Sequence, residues 1–240
     1  MSEKGYKAYT GHITLESMSK ASWYNNWTVN IFKSHLQGDI LEVGCGIGSF
    51  TEMLLAYGNV YAIDMDESCI DQTQQAIDQK ENVGFGDIEN GNYFFGEKTF
   101  DVVICINVLE HIEHDKKALK HMYHLLKPGG VLILLVPAHP FLYGKIDQEI
   151  GHYRRYTKKG VRALLEELDL DIVYARKMNG LGSIGWWFTG KILKGTSVSE
   201  KKLQLFDKIA PFVLPIEETI EPPIGTSVLA IAKKKSGQAQ

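Results

Sequence analysis

Short apolar runs alternate with amphipathic segments along nearly the whole chain, and this alternation limits the fold more than any other feature. The runs are DILEVG (39–44), NVYAIDMD (59–66), NVGFGD (82–87), FDVVICIN (100–107), VLILLVPA (131–138), DIVYARK (171–177) and SVLAIAK (227–233). Each is short, apolar and bounded by turn residues, as strands are. Between them, apolar residues recur at helical spacing: Phe50, Met53, Leu54 and Tyr57; Ile70, Thr73 and Ile77 within 68–80; Ala118, Leu119, Met122, Leu125 and Leu126; and Val161, Leu164, Leu165 and Leu168. Gly58 stands where the first of these helices would end, Lys127-Pro128-Gly129-Gly130 would stop the third, and Thr157 can cap the fourth. Strands alternating with helices predict an α/β, doubly wound, seven-stranded and mostly parallel sheet covered on both faces.

At 240 residues, a single domain over 1–235 suffices, with helices in 1–37, an insertion at 178–224 before the last strand and a disordered tail at 236–240. The net charge of −3, without a basic stripe, argues against a nucleic-acid partner. The N-terminus lacks the apolar run of a secretory signal, and VLILLV (131–136) is far short of the ~20 residues needed to span a bilayer. Cys45, Cys69 and Cys105 are widely spaced and form no C-x-x-C pair, so reduced core thiols in a cytoplasmic protein are expected.

Ligands of such sheets bind beyond the carboxyl ends of the strands, where the strand order reverses. Glu42-Val43-Gly44-Cys45-Gly46-Ile47-Gly48 follows the first strand; its third glycine comes one position earlier than in a dinucleotide fingerprint, and no P-loop lysine is present. Asp64 ends the second strand, where a carboxylate can accept from ribose hydroxyls. Asp87-Ile88 ends the third, suited to an adenine amino group and ring, although an aspartate there also suits a turn. Asn107-Val108-Leu109-Glu110-His111 follows the fourth, where Asn107 can face an ammonium group. These loop residues include Glu42, Asp64 and Asp87 but no lysine or arginine, the reverse of what a pyrophosphate needs. S-adenosylmethionine has no phosphate and carries a sulfonium and an α-ammonium, so it suits carboxylates. A nicotinamide-dependent oxidoreductase is disfavoured on both counts.

LEVGCGIGSF, YAIDMD, GDIE, FDVVICINVLEHI and LKPGGVLILLVP, in this order and at these intervals, resemble the successive motifs of class I S-adenosylmethionine-dependent methyltransferases of the type 11/12 kind. The resemblance spans roughly residues 20–235. It implies a Rossmann-like sheet with an antiparallel last strand and S-adenosylmethionine as cofactor. It also implies Glu42, Gly44 and Gly46 at the methionine portion, Asp64 with Met65 at the ribose, Asp87 with Ile88 at the adenine, and Asn107 with Val108 near the sulfonium. The stretch PAHPFLYGKIDQEIGHYRRYT and the upstream SWYNNW resemble a narrower group often associated with glycosyltransferases.

Neither an N/D-P-P-Y motif nor a proline–cysteine nucleophile follows the fourth strand, so a small-molecule or glycan-type acceptor is expected, most simply at oxygen. A small-molecule N-methyltransferase and a non-catalytic S-adenosylmethionine-binding protein remain alternatives. The acceptor wall is expected in 138–157. His152 is the candidate base, with Asp147 or Tyr156 to orient it, although substrate binding or helix-entry packing also suits its position. His139, Tyr143, Tyr153 and Arg154 are candidate substrate contacts. Trp23 and Tyr24 either close over the cofactor or staple the N-terminal helix. The segment 178–193 fits a lid, a dimer contact or a membrane-surface patch, in a monomer or homodimer with at most weak peripheral membrane contact. His111 and His114 around Glu113 read as a surface cluster at a helix start, so no metal is expected.

Overall fold

The computed structural model describes residues 21–187 and 200–236. All seven expected strands form: β1 (Asp39–Val43), β2 (Asn59–Asp64), β3 (Val83–Asp87), β5 (Phe100–Ile106), β6 (Leu126–Pro137), β7 (Leu170–Met178) and β8 (Ser227–Lys234). One more, β4 (Asn92–Tyr93), turns back on β3 with Gly86 opposite Tyr93, so the sheet has eight strands rather than seven. Two residues of alternating exposure give too little periodicity to be seen in the sequence.

The order is β4-β3-β2-β1-β5-β6-β8-β7. Strands β3, β2, β1, β5 and β6 run parallel, and β8 is antiparallel to both β6 and β7. The chain leaves β1 toward β2 on one side and later returns to pair β5 on the other. The crevice of a doubly wound sheet therefore lies over the ends of β1 and β5.

Helices α1 (Ser22–Phe32), α2 (Thr51–Leu54), α3 (Glu67–Ala76), α4 (Asp115–Leu125), α5 (Lys145–Glu149), α6 (Lys158–Glu166), α7 (Gly180–Trp187) and α8 (Glu200–Thr219) complete the described chain. One face of the sheet, carrying Ile40, Val102, Ile104, Ile133, Leu135, Leu229 and Ile231, is covered by α1 and α8 through Tyr24, Trp27, Phe32, Ala210 and Leu214. The other face, carrying Leu41, Val103, Leu132 and Leu134, receives Leu119 and Met122 of α4 and Val161 and Leu165 of α6. Burial on both faces is why the parallel strands are continuously apolar.

Three boundaries differ from expectation. Helix α3 ends at Ala76, and a 3-10 turn follows at Lys80–Asn82. Lys127-Pro128-Gly129-Gly130 is the irregular start of β6, with the register shifting opposite Phe100/Val102, rather than a separate turn. Gly58 serves close approach rather than a left-handed cap, since a Cβ there would sit 2.3 Å from the Gly38 carbonyl oxygen.

The insertion is tied to the domain by carboxylates. Glu217 of α8 accepts from the backbone N–H groups of Asn179 and Gly180 at the start of α7, at 2.7 and 2.8 Å. Glu218 accepts from Trp27 Nε1 of α1 at 2.8 Å. Residues 188–193 of the stretch read as a lid, contact or surface patch, like the tail beyond 236, lie outside the described residues. No described helix is long and apolar enough to cross a membrane.

Candidate active site

The glycine loop after β1 curls back on the sheet. Gly44, Gly46 and Gly48 all have positive φ, which an L side chain resists. A Cβ on Gly44 would lie 2.3 Å from Val108 Cγ2, so β1's end and β5's end approach backbone to side chain with nothing between. Gly46 donates its N–H to Asp64 Oδ2 at 2.9 Å, and Asp64 Oδ1 accepts from the Asp66 N–H at 3.0 Å. Asp64 thus locks the loop to β2, and each oxygen keeps a lone pair for a ribose hydroxyl. Met65 beside it is 63% exposed.

Glu42 is buried, and Thr51 Oγ1 of α2 donates to its Oε2 at 2.5 Å. Burial pushes its pKa from the ordinary 4.5 to about 8; the Thr51 hydrogen bond opposes the rise and the Asp64 charge adds to it. Among the described residues no cation neutralises it, which suits a binding partner that brings its own ammonium group. Asp87 folds back on Asn90, accepting its N–H at 3.0 Å and its side-chain amide at 2.8 Å. Burial raises its pKa, but those Asn90 bonds, the Glu89 N–H and Lys117 outweigh it and hold the group below the usual range. Ile88 is buried beside it. Asn107 is exposed at the end of β5 with φ 53°, a left-handed conformation asparagine tolerates.

The cradle therefore fits S-adenosylmethionine: a glycine turn that admits close backbone approach, carboxylates along its rim and no cation aimed at a phosphate. Glu42, Asp64, Asp87 and Asn107 are the residues that would hold it.

The expected acceptor segment folds around one buried carboxylate. Asp147 Oδ2 accepts from the Gly144 N–H at 2.9 Å, and its Oδ1 accepts from Arg155 Nε at 2.7 Å. His152 Nδ1 lies 2.8 Å from the same Oδ1. Burial raises the Asp147 pKa, but the bonds to His152 and Arg155 outweigh it and hold the group low. Arg155 also donates to the Ala138 carbonyl, and Tyr143 donates its hydroxyl to the His152 carbonyl at 2.7 Å. His152 Nε2 faces Glu110 Oε1 at 3.7 Å, and its ring meets the His111 ring at a centroid distance of 4.6 Å.

Several expected roles need correction. Tyr156 does not orient His152; its buried hydroxyl donates to Asp115 Oδ2 at 2.9 Å and lies 3.3 Å from the Leu109 carbonyl. Arg154 is committed to the start of α4 through Asp115 at 2.9 Å and the Glu113 carbonyl at 2.7 Å. Tyr24 is buried between α1 and α8, where burial raises its pKa against hydrogen bonds to Asn179, Thr28 and Ser227. Trp23 stacks on Trp27, and the pair packs against the core under α1. His111 and His114 do not pair, because His114 turns to Glu89 while His111 faces His152. Tyr153 is 52% exposed, and His139 takes φ 61° with its buried Nε2 unpartnered among the described residues.

Two residues of this region, Thr51 and Glu110, had no assigned role in the sequence reading. Thr51 follows the glycine loop directly. Glu110 lies three residues past Asn107, where a buried acid at a strand end was a readable signal.

Residues 41–132 match a family model described as a methyltransferase domain. A protein of Aspergillus luteorubrus named "Probable methyltransferase ltbC" is 32% identical over 139 residues, 50% of this chain and 49% of that relative. The chain thus spans about half the length of that relative. The ubiquinone biosynthesis O-methyltransferase of Rickettsia bellii is 27% identical over 166 residues, 61% of this chain and 69% of its own. The N-methyltransferase NodS of Bradyrhizobium japonicum, solved with S-adenosyl-L-homocysteine, shares the fold with a TM-score of 0.57 at 18% identity, over 88% of this chain and 85% of that one. The glycine cradle, the carboxylates that line it and these similarities together support a class I S-adenosylmethionine-dependent methyltransferase with S-adenosylmethionine as its cofactor.

Proposed function

We propose that the chain methylates a hydroxyl oxygen of a small-molecule or glycan-type acceptor, with His152 as the acceptor-side base and Asp147 as its positioning partner. The bound cofactor supplies an electrophilic methyl group on a sulfonium. The reading rests above all on the Asp147–His152 pair. A carboxylate held by Gly144 and Arg155 favours the Nδ1–H tautomer of His152 and leaves Nε2 as the free acceptor. Nε2 then takes the hydroxyl proton as the oxygen attacks the methyl carbon. The cradle residues contribute alignment: Glu42 and Asn107 orient the methionine end and Asp64 the ribose. The oxygen assignment is supported by the Rickettsia bellii relative, named for O-methylation.

His139, Tyr143 and Tyr153 line the same segment and are read as acceptor contacts. Three buried free cysteines fit a reducing cytoplasm. Exposed Leu205, Ile209, Phe212 and Ile216 on α8 support weak peripheral contact with a membrane surface. The test is His152→Gln and His152→Ala, each assayed on a panel of hydroxylated acceptors and titrated with S-adenosylhomocysteine. Turnover is expected to fall on the order of a hundredfold or more with cofactor affinity retained. Near-normal turnover would remove the base.

A further inference from the structure

Where His152 meets the end of β5, the chain offers three ligand atoms to one point in space. Glu110, His111 and His152 each present one donor atom, and all three lie within 4.8 Å of one another. Glu110 and His111 belong to the 3-10 turn Leu109–His111 after β5; His152 comes from the loop after β6. We propose that this trio binds a divalent transition cation, and that the cation seats and acidifies the acceptor hydroxyl. This deepens the methyl-transfer reading and rests on it for the role, though not for the binding.

The first observation is an orphan. Glu110 is 1% exposed, and its Oε2 has no hydrogen-bond partner among the described residues. A buried carboxylate oxygen left unpaired is costly unless a ligand or ion completes it. Arg155 hydrogen-bonds Asp147, and its charge also acts on Glu110.

The second observation is the orientation of the His152 ring. Asp147 Oδ1 lies 2.8 Å from Nδ1, which favours the Nδ1–H tautomer and turns Nε2 toward Glu110 Oε1 at 3.7 Å. The two atoms face each other at a distance too long for a hydrogen bond, a gap that a positive centre between them would bridge. A carboxylate behind a histidine that turns its other nitrogen to a shared point is the usual second shell of a metal site, and it fixes ring orientation.

Two imidazoles and one carboxylate suit Zn2+, Mn2+ or Fe2+ better than Mg2+ or Ca2+. Metal bonds of about 2.0–2.2 Å require the three atoms to draw together slightly from their present spacing. Three protein ligands leave coordination positions for water or an acceptor hydroxyl. An acceptor hydroxyl bound there loses its proton to solvent more readily. Its oxygen keeps the pair that forms the new O–C bond, and the C–S pair stays on the cofactor sulfur. With the cation bound, His152 Nε2 is a ligand and the cation does the acidifying that His152 does in the metal-free protein.

The test begins with metal alone. The full chain, stripped with chelator and without cofactor or acceptor, is titrated with MnCl2 while the paramagnetic resonance signal of free Mn2+ is followed. One tight equivalent is expected. Glu110→Gln and His111→Ala should abolish it, Asp147→Asn should weaken it roughly 10–100-fold, and His114→Ala should leave it intact. Mn2+ should also raise the melting temperature of the parent and not of Glu110→Gln, which reports binding separately from folding. Absence of a stoichiometric site, or unchanged binding in both Glu110→Gln and His111→Ala, overturns the proposal and leaves His152 acting directly as base. Full turnover in chelated enzyme that still binds Mn2+ overturns the cation's part in methyl transfer.

Discussion

Replacing Glu42 by glutamine tests how the cofactor cradle stores charge. Glu42 is buried, bonded to Thr51 and beside Asp64, and burial moves its pKa from 4.5 to about 8. At about 1.36 kcal/mol per pKa unit, keeping it ionised in the folded protein costs on the order of 5 kcal/mol. Between about pH 5 and 8 the folded protein therefore holds a proton that the unfolded chain has lost. A raised carboxyl pKa gives stability that is fully present below the unfolded value and is lost as pH rises toward the folded value. The contribution should fall by about 1.4 kcal/mol per pH unit across that window. Glu110 contributes with the same sign, also raised by burial to about 8, so the parent should be compared with Glu42→Gln rather than read alone. Denaturant unfolding at intervals from pH 5 to 8 should show the parent losing stability relative to the variant as pH rises. An α-ammonium seated against Glu42 favours the ionised form, so binding releases the proton. Calorimetric affinity of the parent for S-adenosylhomocysteine should then rise with pH, whereas Glu42→Gln should bind roughly 10–100-fold more weakly, the loss of a charge-assisted hydrogen bond, with a flatter profile. A stability difference independent of pH, or parental affinity in the variant, would refute the reasoning.

The other predictions concern the loop and the acceptor side. Gly44→Ala combines a left-handed φ of 76°, costing about 1–2 kcal/mol, with a Cβ 2.3 Å from Val108 Cγ2. It should abolish cofactor binding, and adding Val108→Ala should restore part of it by calorimetry. Asp64→Ala removes the acceptor that locks Gly46 and should weaken S-adenosylhomocysteine binding by roughly 1–3 kcal/mol; unchanged affinity would move the ribose elsewhere. Tyr156→Phe takes a hydrogen bond from Asp115 and should lower stability by roughly 1.5–3 kcal/mol while turnover per folded molecule is kept. A turnover loss well beyond the loss of fold would return Tyr156 to the catalytic group.

What the amino-acid order determined by itself was local. Continuous apolar runs marked the buried parallel strands, because period and turn chemistry act over a few residues. The glycines at 44, 46 and 48 and the acid at 64 were readable because each sits at a strand end, where the fold class already locates ligands. The partners of the acceptor-side residues were decided only in three dimensions. Tyr156 stands four residues from His152 and Asp147 five, yet Asp147 turns to it and Tyr156 turns to Asp115, because the loop after β6 wraps its buried carboxylate inward. Trp27 of α1 gives its indole N–H to Glu218, 191 residues further along the chain. His111 separated from His114 and joined His152 because the turn after β5 points it across the crevice. Side-chain periodicity records which face of an element is buried. Which distant element fills that face depends on how the strands are ordered and how the loops return, and that is settled when the sheet closes its packing.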